Sequence, residues 1–158
     1  SIMSTTGDPS VGGATDEALA VLLAPPARTR EEAIERSVAT FRVIGSPGYE
    51  LDQAAVRELA GTAYDRAHDP PGVKRQLMAI AASPDRTPRL GRIGVPTLVI
   101  HGSGDKLIDV SGGRATAAAI PGSELVVLEG MGHDLPRALW PRIIDLVTDV
   151  VQRGERAR

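Results

Sequence analysis

The sequence predicts an α/β fold in which part of a doubly wound, mainly parallel sheet is joined to a block of helices. Residues 14–86 show helical periodicity and no strand pattern, whereas residues 87–158 alternate strand, helix, strand and helix. This alternation is the βαβ arrangement that is typical of parallel sheets. Because two strands alone do not form a stable sheet, we expect the sheet to need partner strands that this sequence does not supply.

The helical block, residues 14–86, carries recognisable start and stop signals. Thr29 with Glu32 three residues later is a capping-box pattern, and Asp52 can cap the following helix. Helical spacing of the apolar residues continues after each of these caps. Proline and glycine predict interruptions that leave about four helices, and these interruptions lie at 45–48 and 69–72.

The second block contains two apolar runs, 95–101 and 124–129, that predict its strands. The runs are continuous rather than alternating, which is typical of strands buried on both faces of a parallel sheet. Ser111 is expected to cap the helix between them. The last helix has an apolar side on which Trp140 is expected in the core, and it admits Pro141 in its first turn.

Composition narrows the possible functions. The formal net charge of −2 gives no reason to expect nucleic acid or an anionic membrane as a partner. The absence of cysteine excludes disulfides, thiolate metal sites and a cysteine nucleophile, and it agrees with an expected cytoplasmic location. No apolar run approaches the roughly 18 residues of a membrane span. The histidines, His68, His101 and His133, have no spacing that suggests a metal site.

Two glycine-rich segments carry the residues best suited to catalysis. Asp105 ends the segment 101–105 directly after the first strand, and His133 lies in the segment 130–134 directly after the second. Because the carboxyl ends of parallel strands meet at one edge of a sheet, we expect the two side chains to lie close together. A carboxylate beside an imidazole can orient the ring while the ring takes a proton from a nucleophile. Asp109 is the alternative for the acid.

The order of these motifs resembles the C-terminal part of the α/β-hydrolase family. Residues 1–13 are small and polar with glycines, which predicts a strand end and linker. The resemblance implies that 14–86 is an inserted helical cap and 87–158 the C-terminal part of the hydrolase core. It rests on P-T-L-V-I-H-G-S-G-D at 96–105, I-P-G-S-E-L at 120–125 and G-M-G-H at 130–133.

The same resemblance implies a function. Asp105 matches the catalytic acid and His133 the catalytic base of the family's Ser-Asp-His triad. The implied reaction is hydrolysis of a carboxylic ester or related acyl bond in a small molecule, with no metal or organic cofactor. The G-x-S-x-G nucleophile motif is absent from the 158 residues; around Ser103, for example, His101 stands where the first glycine is required. We therefore expect a nucleophile upstream of this sequence and an inactive chain on its own.

Other interpretations stay open. An aspartate nucleophile would make the parent protein a dehalogenase or epoxide hydrolase, whereas a haloperoxidase or prolyl aminopeptidase would keep serine. A non-enzymatic protein that binds a small ligand or a partner is a further class. His101 is expected to pack or hydrogen-bond beneath the acid loop, and Asp134 to cap the last helix. Core packing is preferred to an acyl pocket for three residues: Phe41, Tyr64 and Met78.

Overall fold

The computed structural model describes residues 1–156, in which a helical region precedes a strand–helix–strand–helix unit. A 3₁₀ turn, Arg137–Leu139, leads into the last helix. The α/β class and the order of the elements agree with the prediction. The elements are α1 (Asp16–Leu22), α2 (Arg30–Ile44), α3 (Gln53–Arg66), α4 (Pro70–Ala81), α5 (Thr87–Leu90), β1 (Leu98–Gly102), α6 (Val110–Ala119), β2 (Glu124–Leu128) and α7 (Trp140–Arg156).

The caps predicted for α2 and α3 are present. The Thr29 hydroxyl oxygen accepts a hydrogen bond from the backbone N–H of Glu32 at 3.2 Å. The Glu32 carboxylate reaches back to the N–H of Arg28, at 2.7 Å and one residue before the cap. The carboxylate of Asp52 accepts from the N–H of Ala55 at 2.9 Å. Because these free N–H groups are satisfied, both helices begin at the predicted caps, and they pack against each other.

Helix α4 differs from the prediction in its start and in its burial. The expected interruption at 69–72 is instead the first turn of the helix, which begins at Pro70. Proline fits there because the backbone N–H groups of the first turn have no acceptor within the helix, so the N–H that proline lacks is not needed. The apolar side chains of Val73, Met78 and Ile80 are 55%, 62% and 71% exposed. The expectation that Met78 packs in a core was therefore wrong.

Strand β1 is the central element of the sheet. It pairs in parallel with β2, with Leu98 opposite Glu124 at the start of the register. On its other side, the N–H of Ile100 donates to the carbonyl of Ser1 at 2.8 Å, and the N–H of Met3 donates to the carbonyl of Ile100 at 2.9 Å. All the residues of β1 are buried, as predicted. The same prediction was wrong for β2, where Glu124 and Val127 are exposed and only Leu128 is buried, because no further strand within residues 1–156 covers its outer edge.

The local boundaries needed correction at three places. Strand β1 begins at Leu98 rather than at residue 95, because Val95 is exposed before the sheet begins. Strand β2 ends at Leu128 rather than at residue 129. The cap of α6 is Asp109, not Ser111: the carboxylate of Asp109 accepts from the N–H of Ser111 at 2.9 Å. A carboxylate is favoured there by the positive end of the helix dipole.

The main hydrophobic core lies between the sheet and α7. It combines strand residues, the loop residue Met131 and two residues from α7. A second buried group comes from α2, at Ile34, Val38 and Ile44. The residues of the main core are Leu98, Ile100, Leu128, Met131, Ile143 and Leu146.

Helix α7 carries a second apolar stripe that faces away from this core. It consists of exposed Trp140, Ile144, Val147 and Val151. The prediction that Trp140 is a core residue was wrong: the side chain is 48% exposed, and its indole N–H donates to the carbonyl of Leu135 at 2.8 Å. Pro141 lies in the first turn of α7, as predicted. None of the helices within residues 1–156 has the length and apolar character needed to cross a membrane.

Candidate active site

The carboxylate of Asp105 is buried at the carboxyl end of β1. Its Oδ1 accepts hydrogen bonds from the backbone N–H groups of Leu107 and Ile108, both at 2.9 Å. These donors follow Asp105 directly in the chain, so the loop turns around the carboxylate. The loop thereby positions Asp105 with its own backbone and leaves Oδ2 available to a more distant donor.

That donor is His133, in the loop that follows β2. Its Nδ1 lies 2.9 Å from Oδ2 of Asp105. Because a carboxylate can only accept, Nδ1–H is the donor, and the neutral ring keeps a lone pair on Nε2. The His133 side chain is 25% exposed, whereas that of Asp105 is fully covered. The structure thus brings together the two side chains that the sequence analysis singled out, at one edge of a parallel pair.

His101 lies beneath the acid, as the sequence predicted. Its ring is completely buried, and Nε2–H donates to the carbonyl of Ile108 at 2.8 Å. The same nitrogen lies 3.6 Å from Oδ2 of Asp105. A methyl group on Gly113 of α6 would overlap the ring, so α6 packs directly on His101. His101 therefore supports the loop 105–108 from below, and its packing and hydrogen-bonding role is confirmed.

Asp109 is placed differently from Asp105. It caps α6, and no hydrogen bond within residues 1–156 joins it to His133. The Ser111 hydroxyl, followed by the Ser111 backbone N–H, holds the pKa of the Asp109 carboxyl below its ordinary value. The geometry therefore favours Asp105 over Asp109 as the partner of His133.

Asp134 does not cap α7, contrary to the prediction. Its carboxylate instead accepts a hydrogen bond from the hydroxyl of Ser46, which follows α2. Ser46 was not among the predicted site residues. The G-S-P-G pattern at 45–48 predicted a turn between helices, but nothing in it indicated that the turn packs against the loop 130–134 that carries His133 (the histidine loop).

A cavity of about 710 Å³ opens beside this pair, and His133 lies in its wall. Helix α3, the connecting residues 49–52 and Phe41 of α2 form one side, and residues between His133 and Trp140 form the other. Phe41, expected in a core, lines this cavity, whereas Tyr64 stacks on His68 with ring centroids 4.4 Å apart. The apolar side chains of the wall include Phe41, Leu51, Val56, Leu59, Leu135 and Trp140.

The site offers no assembled metal centre. Within residues 1–156 no group of three or more histidine, cysteine, aspartate or glutamate side chains could hold a metal ion. Asp105 and His133 combine a base with a carboxylate that can orient it. The imidazole can accept a proton at Nε2, and Asp105 can stabilise the resulting positive charge.

The sequence is similar to two curated esterases. No protein-family model matches it. It is 33% identical over 140 residues to the rhodomycin D methylesterase DauP of Streptomyces sp. (strain C5). It is 31% identical over 140 residues to the rhodomycin D methylesterase DnrP of Streptomyces peucetius. Each match covers 84% of this chain but 46% of the relative, so the chain spans about half the length of the curated relatives it matches.

Comparison with solved structures identifies the fold. The chain superposes on the 2-hydroxy-6-oxo-6-phenylhexa-2,4-dienoate hydrolase of Rhodococcus sp. strain RHA1 with a TM-score of 0.65. The superposition covers 96% of this chain and 53% of that structure at 20% identity, which is informative about the fold alone. Together with the similarity to the esterases, it shows that this chain carries part of the α/β-hydrolase fold and belongs to the α/β-hydrolase family.

Proposed function

We propose that the protein is a hydrolase of carboxylic esters or related acyl bonds, in which His133 is the general base and Asp105 orients it. The observation that carries this proposal is the 2.9 Å contact between Nδ1 of His133 and Oδ2 of Asp105. It gains weight because His133 also borders a cavity large enough for a small molecule. The similarity to two methylesterases supports the same reaction class.

The proposed mechanism needs a serine that these 158 residues do not provide in the G-x-S-x-G motif. Nε2 of His133 takes the proton of that upstream serine as its oxygen attacks the acyl carbonyl. Asp105 stabilises the imidazolium, which then gives the proton to the leaving alcohol. A water molecule, activated by the same nitrogen, attacks the acyl-enzyme and releases the acid and the free serine. Asp105 carries its charge throughout and does not exchange a proton.

We further propose that the helical part, 14–86, is a cap that closes the substrate cavity. Helix α3, the connecting residues 49–52 and Phe41 of α2 supply one wall of the cavity, opposite the chain that follows His133. In this arrangement the apolar side chains of the cap bind the apolar part of the substrate, and His133 faces the scissile bond.

The charges of the cavity wall indicate which substrates it favours. Four carboxylates, Glu50, Asp52, Glu58 and Asp134, stand against one guanidinium, Arg137. Excess negative charge repels an anionic ligand and attracts a cationic one. The proposed substrate is therefore an uncharged or cationic ester with a bulky apolar group.

A covalent probe tests the nucleophile and the base together. The complete coding sequence, read upstream of Ser1, is expressed and treated with a fluorophosphonate, which labels activated serines. The wild type is expected to be labelled and to hydrolyse p-nitrophenyl acyl esters. His133→Ala is expected to lose the labelling, and its kcat for ester hydrolysis is expected to fall by roughly 10³-fold or more. His68→Ala is the matched control, because His68 is exposed and stacks on Tyr64.

The outcomes separate the alternatives. Labelling that depends on His133 but not on His68 supports the serine hydrolase. Turnover of a halide or epoxide without labelling would show an aspartate nucleophile in its place. An intact protein that is neither labelled nor hydrolytic, yet binds an apolar ligand in the cavity, would show the non-enzymatic class and refute the proposal.

A further inference from the structure

The segment 44–48, which begins at the last residue of α2, contacts the histidine loop on both sides of His133. The backbone N–H of His133 donates to the carbonyl of Ile44 at 2.7 Å. The N–H of Gly48 donates to the carbonyl of Gly130 at 2.9 Å. The segment therefore lies alongside the loop 130–134 and is hydrogen-bonded to it through the main chain.

Ser46 adds a side-chain link at the centre of this contact. Its side-chain oxygen accepts from the backbone N–H of Gly132 at 2.8 Å, and its hydroxyl donates to the carboxylate of Asp134. The residue is only 8% exposed, and its bond from Gly132 is buried, whereas its bond to Asp134 is partly buried. A single hydroxyl thus ties the residue before His133 to the residue after it.

The fit between the two segments leaves no room for side chains. A methyl group on Gly132 would overlap the carbonyl of Gly45. A methyl group on Gly104, directly before the acid, would lie 2.6 Å from Cγ of Pro47. The segment 44–48 therefore abuts both the histidine loop and the acid loop, and the glycines allow this close approach.

We infer that Ser46 is a positioning residue that holds the histidine loop so that Nδ1 of His133 faces Asp105. The role of His133 itself rests on the proposed function. Locally, the loop is held by a long hydrogen bond from the N–H of Met131 to the carbonyl of Leu128 at 3.3 Å, and the N–H of Gly104 in the acid loop donates to the carbonyl of Met131 at 2.9 Å. Neither bond reaches the residues on either side of His133, which the Ser46 hydroxyl joins. Without the Ser46 hydroxyl, the N–H of Gly132 and the carboxylate of Asp134 both lose their partner, and the ring is free to turn away from Asp105.

Nuclear magnetic resonance of the intact, uniformly ¹⁵N-labelled protein tests this inference without depending on turnover. Ser46→Ala is expected to abolish the downfield signal of the His133 Nδ1–H proton. It is also expected to accelerate hydrogen exchange of the Gly132 and His133 amides by about tenfold. The Nε2–H signal of His101, bonded to the carbonyl of Ile108, is the internal reference and should not change.

Ser37→Ala is the matched control. Ser37 lies in α2 and donates to the carbonyl of Ala33 at 2.9 Å, so its loss removes a hydroxyl without touching the histidine loop. A folded Ser46→Ala protein that keeps the His133 signal and normal amide exchange would overturn the inference. If Ser46→Ala does not fold, Ser46→Cys decides, because a thiol of similar shape is a much weaker hydrogen-bond donor and acceptor. Loss or weakening of the His133 signal supports the inference, and a signal equal to that of the wild type overturns it.

These results are independent of the proposed function. Should the fluorophosphonate label no serine while Ser46→Ala still releases His133, the positioning role stands and the hydrolase proposal fails. Should labelling depend on His133 while Ser46→Ala leaves its signal unchanged, the hydrolase proposal stands and the positioning role fails.

Discussion

The loops that carry Asp105 and His133 are held in place in opposite ways. Asp105 accepts from the backbone of Leu107 and Ile108, so its position depends on residues directly beside it in the chain. His133 is held by the turn after α2, through contacts such as that of Gly132 with Ser46, 86 residues apart in sequence. The acid is therefore positioned by local structure, and the base by the packing of two distant regions. Substitutions in the two loops should therefore differ in how much they lower the free energy of unfolding.

The largest effect on stability is expected from removal of the acid. Asp105→Ala leaves two partly buried N–H groups without an acceptor, opens a space in a buried position and removes the partner of His133. We expect a loss of about 3–5 kcal/mol in the free energy of unfolding. The midpoint of urea unfolding of the intact protein measures it. A loss below about 1 kcal/mol would mean that the loop does not depend on the carboxylate.

The second-largest loss of stability is expected when a side chain is added where the histidine loop contacts Gly45. Gly132→Ala places a methyl group against the carbonyl of Gly45. We expect a loss of about 1–3 kcal/mol in the free energy of unfolding, because backbone must shift on both sides. Gly94→Ala is the control, since a methyl group there has no neighbour within 4 Å. Equal stability of the two variants would refute the close packing of this contact.

Asp109 extends the comparison to a second carboxylate held by its own loop. Asp109→Ala should cost about 1 kcal/mol through loss of the α6 cap. The bonds from Ser111 lower the pKa of Asp109 in the folded protein, so its contribution is complete above its unfolded pKa. It is lost as the pH falls through the folded pKa, which lies below the ordinary value of an aspartate. The stability difference between wild type and variant should therefore shrink as the pH is lowered from neutral into the acid range. A constant difference would contradict this.

The smallest effect on stability is expected from removal of the base. His133→Ala should change the free energy of unfolding by less than about 1 kcal/mol. The ring is partly exposed, and Asp105 keeps its two backbone donors. The same variant is nevertheless expected to lose hydrolytic activity. If calorimetry showed it to be as unstable as Asp105→Ala, His133 would be a structural residue of the loop, and the contrast between acid and base would disappear.

Much of the fold followed from local patterns. The caps at Thr29 and Asp52 were predictable because a capping side chain bonds to an N–H three residues later. The wrong predictions concern which apolar side chains are buried. The apolar side chains of α4 and Trp140 of α7 were expected to be covered, yet they are exposed in this chain. Helical spacing shows that a stripe exists, but it does not show which neighbour covers the stripe.

By itself, the sequence determined the order of strand, helix and strand, and with it the meeting of Asp105 and His133 at one edge of the sheet. Parallel pairing requires that result, because both residues directly follow a strand. Only the tertiary structure decided that Ser46 lies against the histidine loop and that Asp134 bonds to it instead of capping α7. The physical reason is distance along the chain. A cap or turn is read from neighbouring residues, whereas a contact between segments far apart depends on how the helical region packs against the sheet.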